Sequence, residues 1–290
     1  MKQTASQQRS YALGHSEEEL ERLSRQAQAF EPFTRQLFQQ AGITAGMRVL
    51  DVGCGSGDVT FLAADLVGPT GEVIGADRAA AAVNRATARA QARSIRNVRF
   101  LEGDPAELRF DRPFDAVVGR LVLMFYADPA DAVRKLAGRL LDGGLMVFQE
   151  FDIANCRSLP LAPTYERTLG WIKQALSATG ARTQLGLELY SVFLAAGLPG
   201  PSMRMDALIG GGPDLRAYEL TADVVRSLLP VMEKLSITTA TEVDVSNLAQ
   251  RMRDEVVASK GVVISPGLIG AWSRKHRPMG SQIPAASAPV

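Results

Sequence analysis

The chain has 290 residues, 46% hydrophobic and 22% charged, the composition of a globular protein with ample core. Lys and Arg total 32 against 31 Asp and Glu, a balance that gives no global electrostatic basis for binding nucleic acid. No stretch approaches the roughly 18 continuous apolar residues of a membrane span, and the N-terminus has no apolar signal core. Cys54 and Cys156 lack metal-ligand spacing and suit a reducing compartment, so a cytoplasmic location is expected.

Residues 1–10 are polar. A helical start follows, with Ser16 as N-cap, Glu19 three residues on and acids in the first turn. Leu20, Leu23, Ala27 and Phe30 keep helical spacing, and Pro32 predicts a break into a second segment. From Met47 the pattern alternates. MRVLDV, GEVIGAD, NVRFLEGD, FDAVVGR and GGLMVFQEFD read as buried strands, separated by helical stretches such as DVTFLAADLV, Ala79–Arg93 and Pro129–Leu141. Short apolar strands alternating with helices predict an α/β chain with a Rossmann-like, doubly wound, mostly parallel sheet. Beyond Asp152 the rhythm changes. Helices are expected over 163–180, up to Gly197, and near 214–235 and 244–259, with SMRMDALIG and GVVISPGLIGAW as strand candidates. The Pro/Ser/Ala-rich tail, 273–290, has the composition of a disordered segment.

The chemistry begins in VLDVGCGSGD. In an open parallel sheet a ligand sits at the carboxyl ends of the strands, and Gly53, Gly55 and Gly57 follow the first strand there. Their spacing is GxGxG, whereas the dinucleotide fingerprint is GxGxxG; a P-loop would need a following Gly-Lys-Ser/Thr. Asp51, two residues before the first glycine, would repel a pyrophosphate and hold an ammonium group. Asp77 ends the second strand, placed to accept from both hydroxyls of a ribose, and Asp104 ends the third, placed to accept from an adenine amino group. Together these describe a nucleoside with an amino-acid tail, S-adenosyl-L-methionine, and no metal site.

In these motifs, over roughly Met47–Asp152, the chain resembles the class I S-adenosylmethionine-dependent methyltransferases, and within them the small-molecule group that includes the ubiquinone/menaquinone methyltransferases. VLDVGCGSGD, VIGADRA, VRFLEGDPAEL, FDAVVGRLVLMF and LLDGGLMVFQEFD fall in that family's order. The resemblance implies a seven-stranded sheet with a helical lid at 1–40. The core would span 41–272, with helical substrate-cover segments at about 153–183 and 212–259. It also implies that Asp51, Gly53, Gly55 and Gly57 line the methionine part, that Asp77 and Arg78 serve the ribose, and that Asp104 and Pro105 flank the adenine. Arg120 would begin the loop under the methionine, and YALGHSEEELERL, with Tyr11, resembles a cofactor-covering lid. S-adenosyl-L-homocysteine would be the product.

Methyl transfer needs alignment and desolvation more than a fixed catalytic residue. GRLVLMFY after the fourth strand is not the Asn/Asp-Pro-Pro-Tyr loop of amide methylation. The expected acceptor is therefore an oxygen, nitrogen or carbon of a small, apolar or aromatic metabolite. Candidate bases are Glu150, beside Gln149 and Asp152, and His15 in the lid. Cover segments containing Phe33, Phe38, Tyr165, Trp171 and Tyr218 would form the acceptor pocket. An RNA or protein methyltransferase, or a catalytically silent cofactor-binding regulator, stays open as an alternative, as does a homodimer.

Overall fold

The computed structural model describes residues 17–276, with side chains from Arg22 onward. Helix α1, Glu17–Ala41, runs unbroken through Pro32. The expected break does not occur. Pro32 and Gln28, one turn earlier, both lie on the exposed side, so the carbonyl that loses its partner can turn to water. The opposite stripe, with Ala27, Phe30, Leu37, Phe38 and Ala41, is buried and holds the helix to the sheet.

The alternating region then builds β1 (Arg48–Val52), α2 (Asp58–Val67), β2 (Glu72–Asp77), α3 (Ala80–Ala92), β3 (Val98–Glu102) and β4 (Phe114–Arg120). A single 3-10 turn, Leu123–Phe125, leads to α4 (Pro129–Ala137) and the long β5 (Leu140–Asp152). Next come β6 (Arg157–Leu159), α5 (Pro163–Ala178), α6 (Leu185–Ala195), β7 (Ser202–Asp206) and β8 (Ile209–Gly210). The described residues end with α7 (Ala217–Lys234), α8 (Ala240–Val243), α9 (Val245–Ala258), β9 (Val262–Ile264) and β10 (Gly267–Arg274). GVVISPGLIGAW is thus two strands in two sheets, divided at Ser265–Pro266. The second of them runs to Arg274, past the boundary expected at 272.

Seven strands form the main sheet in the order β3-β2-β1-β4-β5-β10-β7, parallel through β5, with β10 antiparallel to both its neighbours. All five residues of β1 are buried, because helices cover both faces. Strand order reverses between β1 and β4, which opens a crevice above their carboxyl ends. A second, three-stranded sheet, β6-β9-β8, stands apart from the first. Among the described residues no helix is long and apolar enough to cross a membrane.

Candidate cofactor and acceptor cavity

A cavity of about 700 Å³ occupies the crevice and extends outward under α1, α5 and α7. Its floor is the turn after β1. Gly53, Gly55 and Gly57 have φ of 67°, 52° and 89°, the left-handed region that L side chains rarely adopt. They differ in what surrounds them. A Cβ on Gly53 would lie 2.3 Å from Val122 Cγ2, so the turn after β4 packs directly on this backbone. A Cβ on Gly55 would meet nothing within 4 Å: open space lies above the loop. Gly57 is the N-cap of α2 and packs against Phe61 and Phe100, outside the cavity lining. The amides of Gly53 and Cys54 both donate to the Ala76 carbonyl, at 2.8 and 3.1 Å, tying the floor to the end of β2. Cys54 is a buried thiol, its pKa raised by desolvation, consistent with a small filler in the loop.

Asp77 stands at the rim. One carboxylate oxygen accepts from the Gly55 amide and the other from the Ala79 amide, each at 2.9 Å. A carboxylate offers about four lone-pair sites, so two oxygens already aimed by backbone keep acceptor capacity for a pair of hydroxyls.

Asp51 does not reach the cavity. It is 1% exposed and its carboxylate accepts from the Thr60 hydroxyl at 2.6 Å, beneath the glycine floor. Desolvation pushes its pKa up to about 7, against the opposing Thr60 hydrogen bond and the Arg120 charge. The expectation of direct contact with an ammonium group is corrected to support from below, because the alternation of β1 turns this side chain toward α2.

Asp104 is likewise committed elsewhere. Its oxygens take an ion pair from Arg78 at 2.5 Å, the Tyr126 hydroxyl at 3.0 Å and the Ala106 amide at 3.0 Å. The cavity wall at this point is Arg78, Pro105 and Tyr126 rather than Asp104 itself. The Arg78 guanidinium also lies 4.6 Å from the centroid of the Tyr126 ring. Tyr126 was missed in the sequence because an aromatic after a strand carries no signal of its own; its partner Asp104 was the only hint.

Arg120 lines the cavity and donates to Thr34 Oγ1 at 2.9 Å. Burial lowers its pKa while Asp58, Asp51 and Glu31 pull the other way. The Thr34 hydroxyl in turn lies 2.8 Å from Gln149 Oε1, so α1, β4 and β5 meet at one buried polar junction. Further along α1, Arg22, Leu23, Gln26, Ala27 and Phe30 form one wall. Arg25 pairs with Asp223 on α7 at 3.0 Å, and Phe30 packs edge-on to Phe151 at 5.5 Å.

Glu150, the candidate base, is fully buried and lies outside the lining. One oxygen accepts from the amides of Val122 and Leu123, at 2.9 and 2.7 Å. Desolvation raises its pKa to about 7, opposed by the backbone amides of Leu123, Val122 and Met124. Its neighbours Gln149 and Phe151 face α1, and strand alternation sends Glu150 to the other side. A proton-transfer role is therefore withdrawn. Asp152, also fully buried, is used by Ala154 and Asn155. Tyr11 and His15 lie outside the described residues.

The outer half of the cavity is mostly apolar, with Thr221 and Ser265 as its polar side chains. Leu169, Ile172 and Leu176 come from α5, and Leu220 and Val224 from α7. Leu208 and Pro266, beside the small sheet, close it. Of the expected pocket aromatics, Tyr165, Tyr218, Trp171 and Phe38 are buried core rather than lining.

Comparison with known proteins places this geometry. A profile of a methyltransferase domain matches residues 43–185. Aklanonic acid methyltransferase of Streptomyces sp. (strain C5) is 36% identical over 120 residues, 41% of this chain and 54% of its own length. Demethylmenaquinone methyltransferase of Staphylococcus aureus is 31% identical over 134 residues, covering 46% and 52%. The chain thus spans about half the length of the curated relatives it matches. Among solved structures, the YcgJ protein of Bacillus subtilis shares the fold at a TM-score of 0.54 and 20% identity, over 84% of this chain and 99% of that one.

Proposed function

Residues 43–185 form a class I S-adenosylmethionine-dependent methyltransferase domain, and from that premise we propose that the chain transfers a methyl group to a small, apolar or aromatic molecule. The observation that carries the proposal is Asp77, both of whose oxygens are aimed by backbone amides beside a glycine with open space above it. That arrangement fits an adenosyl ligand: the ribose diol on Asp77, the methionine part over Gly53 and Gly55, the base toward Pro105 and Tyr126. Bound there, S-adenosylmethionine supplies the electrophilic methyl group of an in-line displacement.

The chain's own residues align and desolvate. Arg120 offers a cation to the cofactor's carboxylate and is braced by Thr34. The apolar half, from Ile172 to Val224, is suited to a hydrophobic acceptor and keeps water from the transfer path. Helix α1 borders both halves, so it suits a lid over the reacting pair. The names of two relatives, which refer to aklanonic acid and demethylmenaquinone, agree with a small-molecule acceptor.

Calorimetry with S-adenosylmethionine, S-adenosylhomocysteine and NAD tests the cofactor. The first two should bind and NAD should not. Asp77→Ala should cost ~1.5–3 kcal/mol of that binding, the range for hydrogen bonds to a charged group, or roughly ten- to a hundred-fold. NAD binding with no response to the other two would overturn the reading. Labelled cofactor incubated with metabolite extract, read by mass shift, then identifies the acceptor.

A further inference from the structure

We propose that Glu150 is a positioning residue, whose buried carboxylate fixes the turn after β4 against the glycine floor and thereby shapes the cofactor site. The inference rests on the cofactor reading above.

The geometry begins with an oddity. Glu150 is 0% exposed, yet one of its oxygens makes no hydrogen bond among the described residues. The other oxygen takes two, from Val122 and Leu123. A buried carboxylate half satisfied is costly, and a residue kept for packing alone would be apolar. What that oxygen does is specific. Residue 121 leaves β4 with φ of 55°, in the left-handed region, and its amide donates to the Gln149 carbonyl at 2.8 Å. The chain reverses there, and the next two amides have no strand or helix to receive them. Glu150 gathers both on one atom, a pair of bonds at a point where the chain takes a left-handed backbone.

The consequence passes to the site through contact. Val122 is the residue that a Cβ on Gly53 would strike, and Leu121, Val122 and Met124 all line the cavity. A turn free to move by an ångström would therefore change the floor under the cofactor. Glu150 touches neither cofactor nor acceptor; it acts through residues 121–124.

Three variants test this: Glu150→Gln, Glu150→Met and Glu150→Asp. Gln keeps an acceptor oxygen at the same reach and removes the charge. Met keeps the volume and removes the acceptor. Asp keeps the charge but is one methylene too short to hold both amides. Calorimetric affinity for S-adenosylhomocysteine is read beside thermal midpoint and amide exchange at Val122 and Leu123. Met should weaken binding on the order of tenfold or more while exchange at those two amides quickens and the midpoint holds. Gln should stay within about threefold of wild type. Equal binding by Met, or losses as large in Gln as in Met, would overturn the inference. If Met does not fold, Asp decides, with a loss of about fivefold expected and unchanged affinity overturning it. A wild type that binds neither S-adenosylmethionine nor S-adenosylhomocysteine would overturn the cofactor reading itself; a binding wild type with an indifferent Met variant overturns this inference alone.

Discussion

Where the cavity meets the ends of β1, β2 and β4, its wall is mostly backbone held by backbone. Amides of Gly53 and Cys54 share one carbonyl, amides of Gly55 and Ala79 grip one carboxylate, and the two lining glycines, Gly53 and Gly55, take angles other residues avoid. Across from it, α5 and α7 present mostly Leu, Ile and Val side chains from helix faces, with Thr221 the one hydroxyl among them. The first wall recognises by direction, since hydrogen bonds fail when donors shift. The second recognises by shape and apolar area, which many side chains can supply. One half should be intolerant of change and serve one ligand; the other should accept substitution and set which acceptor enters.

Three substitutions can break or sharpen that contrast. The largest effect belongs to Gly53→Ala. The new Cβ would sit 2.3 Å from Val122 at a φ of 67°, a strain on the order of 4 kcal/mol from left-handed backbone and overpacking together. Cofactor binding should fall at least a hundredfold, and chemical denaturation should show the lost stability. A near-normal variant would mean the floor is soft.

Asp51→Asn comes next and is read against pH. The Asp51 pKa rises from 3.8 to about 7 on burial. The native state therefore holds a proton that the unfolded chain has released, and stability associated with it is full below pH 3.8 and lost as pH rises through about 7. The asparagine variant has no such loss. Relative to wild type it should gain about 3 kcal/mol between pH 5 and pH 8, at 1.36 kcal/mol per unit. A difference that is flat with pH would show Asp51 fully ionised in the folded chain.

Ile172→Ala, in the apolar half, should give the smallest effect on the cofactor. Affinity for S-adenosylhomocysteine should change less than about twofold, since ~1.4 kcal/mol would be needed for tenfold. The profile of extract compounds methylated should change instead. A cofactor loss as deep as that of Gly53→Ala would dissolve the distinction between the halves.

The same division governs what could be read in advance. The floor is written in residue types with unique capacities: glycine for left-handed backbone, Asp77 at a strand end. Asp104 and Glu150 were legible as acids at strand ends, yet their orientation was not. In β5 every residue from Leu145 to Glu150 is buried, so no polar-apolar alternation marks which face each side chain takes. Gln149 therefore reaches Thr34 while Glu150 reaches Val122, one residue and one sheet face apart. The apolar wall was legible only as apolar helical stretches, because lining and core obey the same periodicity; Ile172 and Tyr165 are both buried, and only the first lines the cavity, a difference that no local pattern encodes.

Strand β10 carries a consequence for how the molecule is made. It lies between β5 and β7, and Gly267 pairs directly with Asp152 across most of the second half of the chain. Until that late segment leaves the ribosome, β5 presents an unpaired edge over Leu145–Asp152, eight residues, a template for aberrant pairing with other chains. Sheet completion is a long-range event, slow to close and late in synthesis. The nascent chain would be most exposed to aggregation, and most dependent on chaperone holding, in the interval between the emergence of residue 152 and that of residue 274.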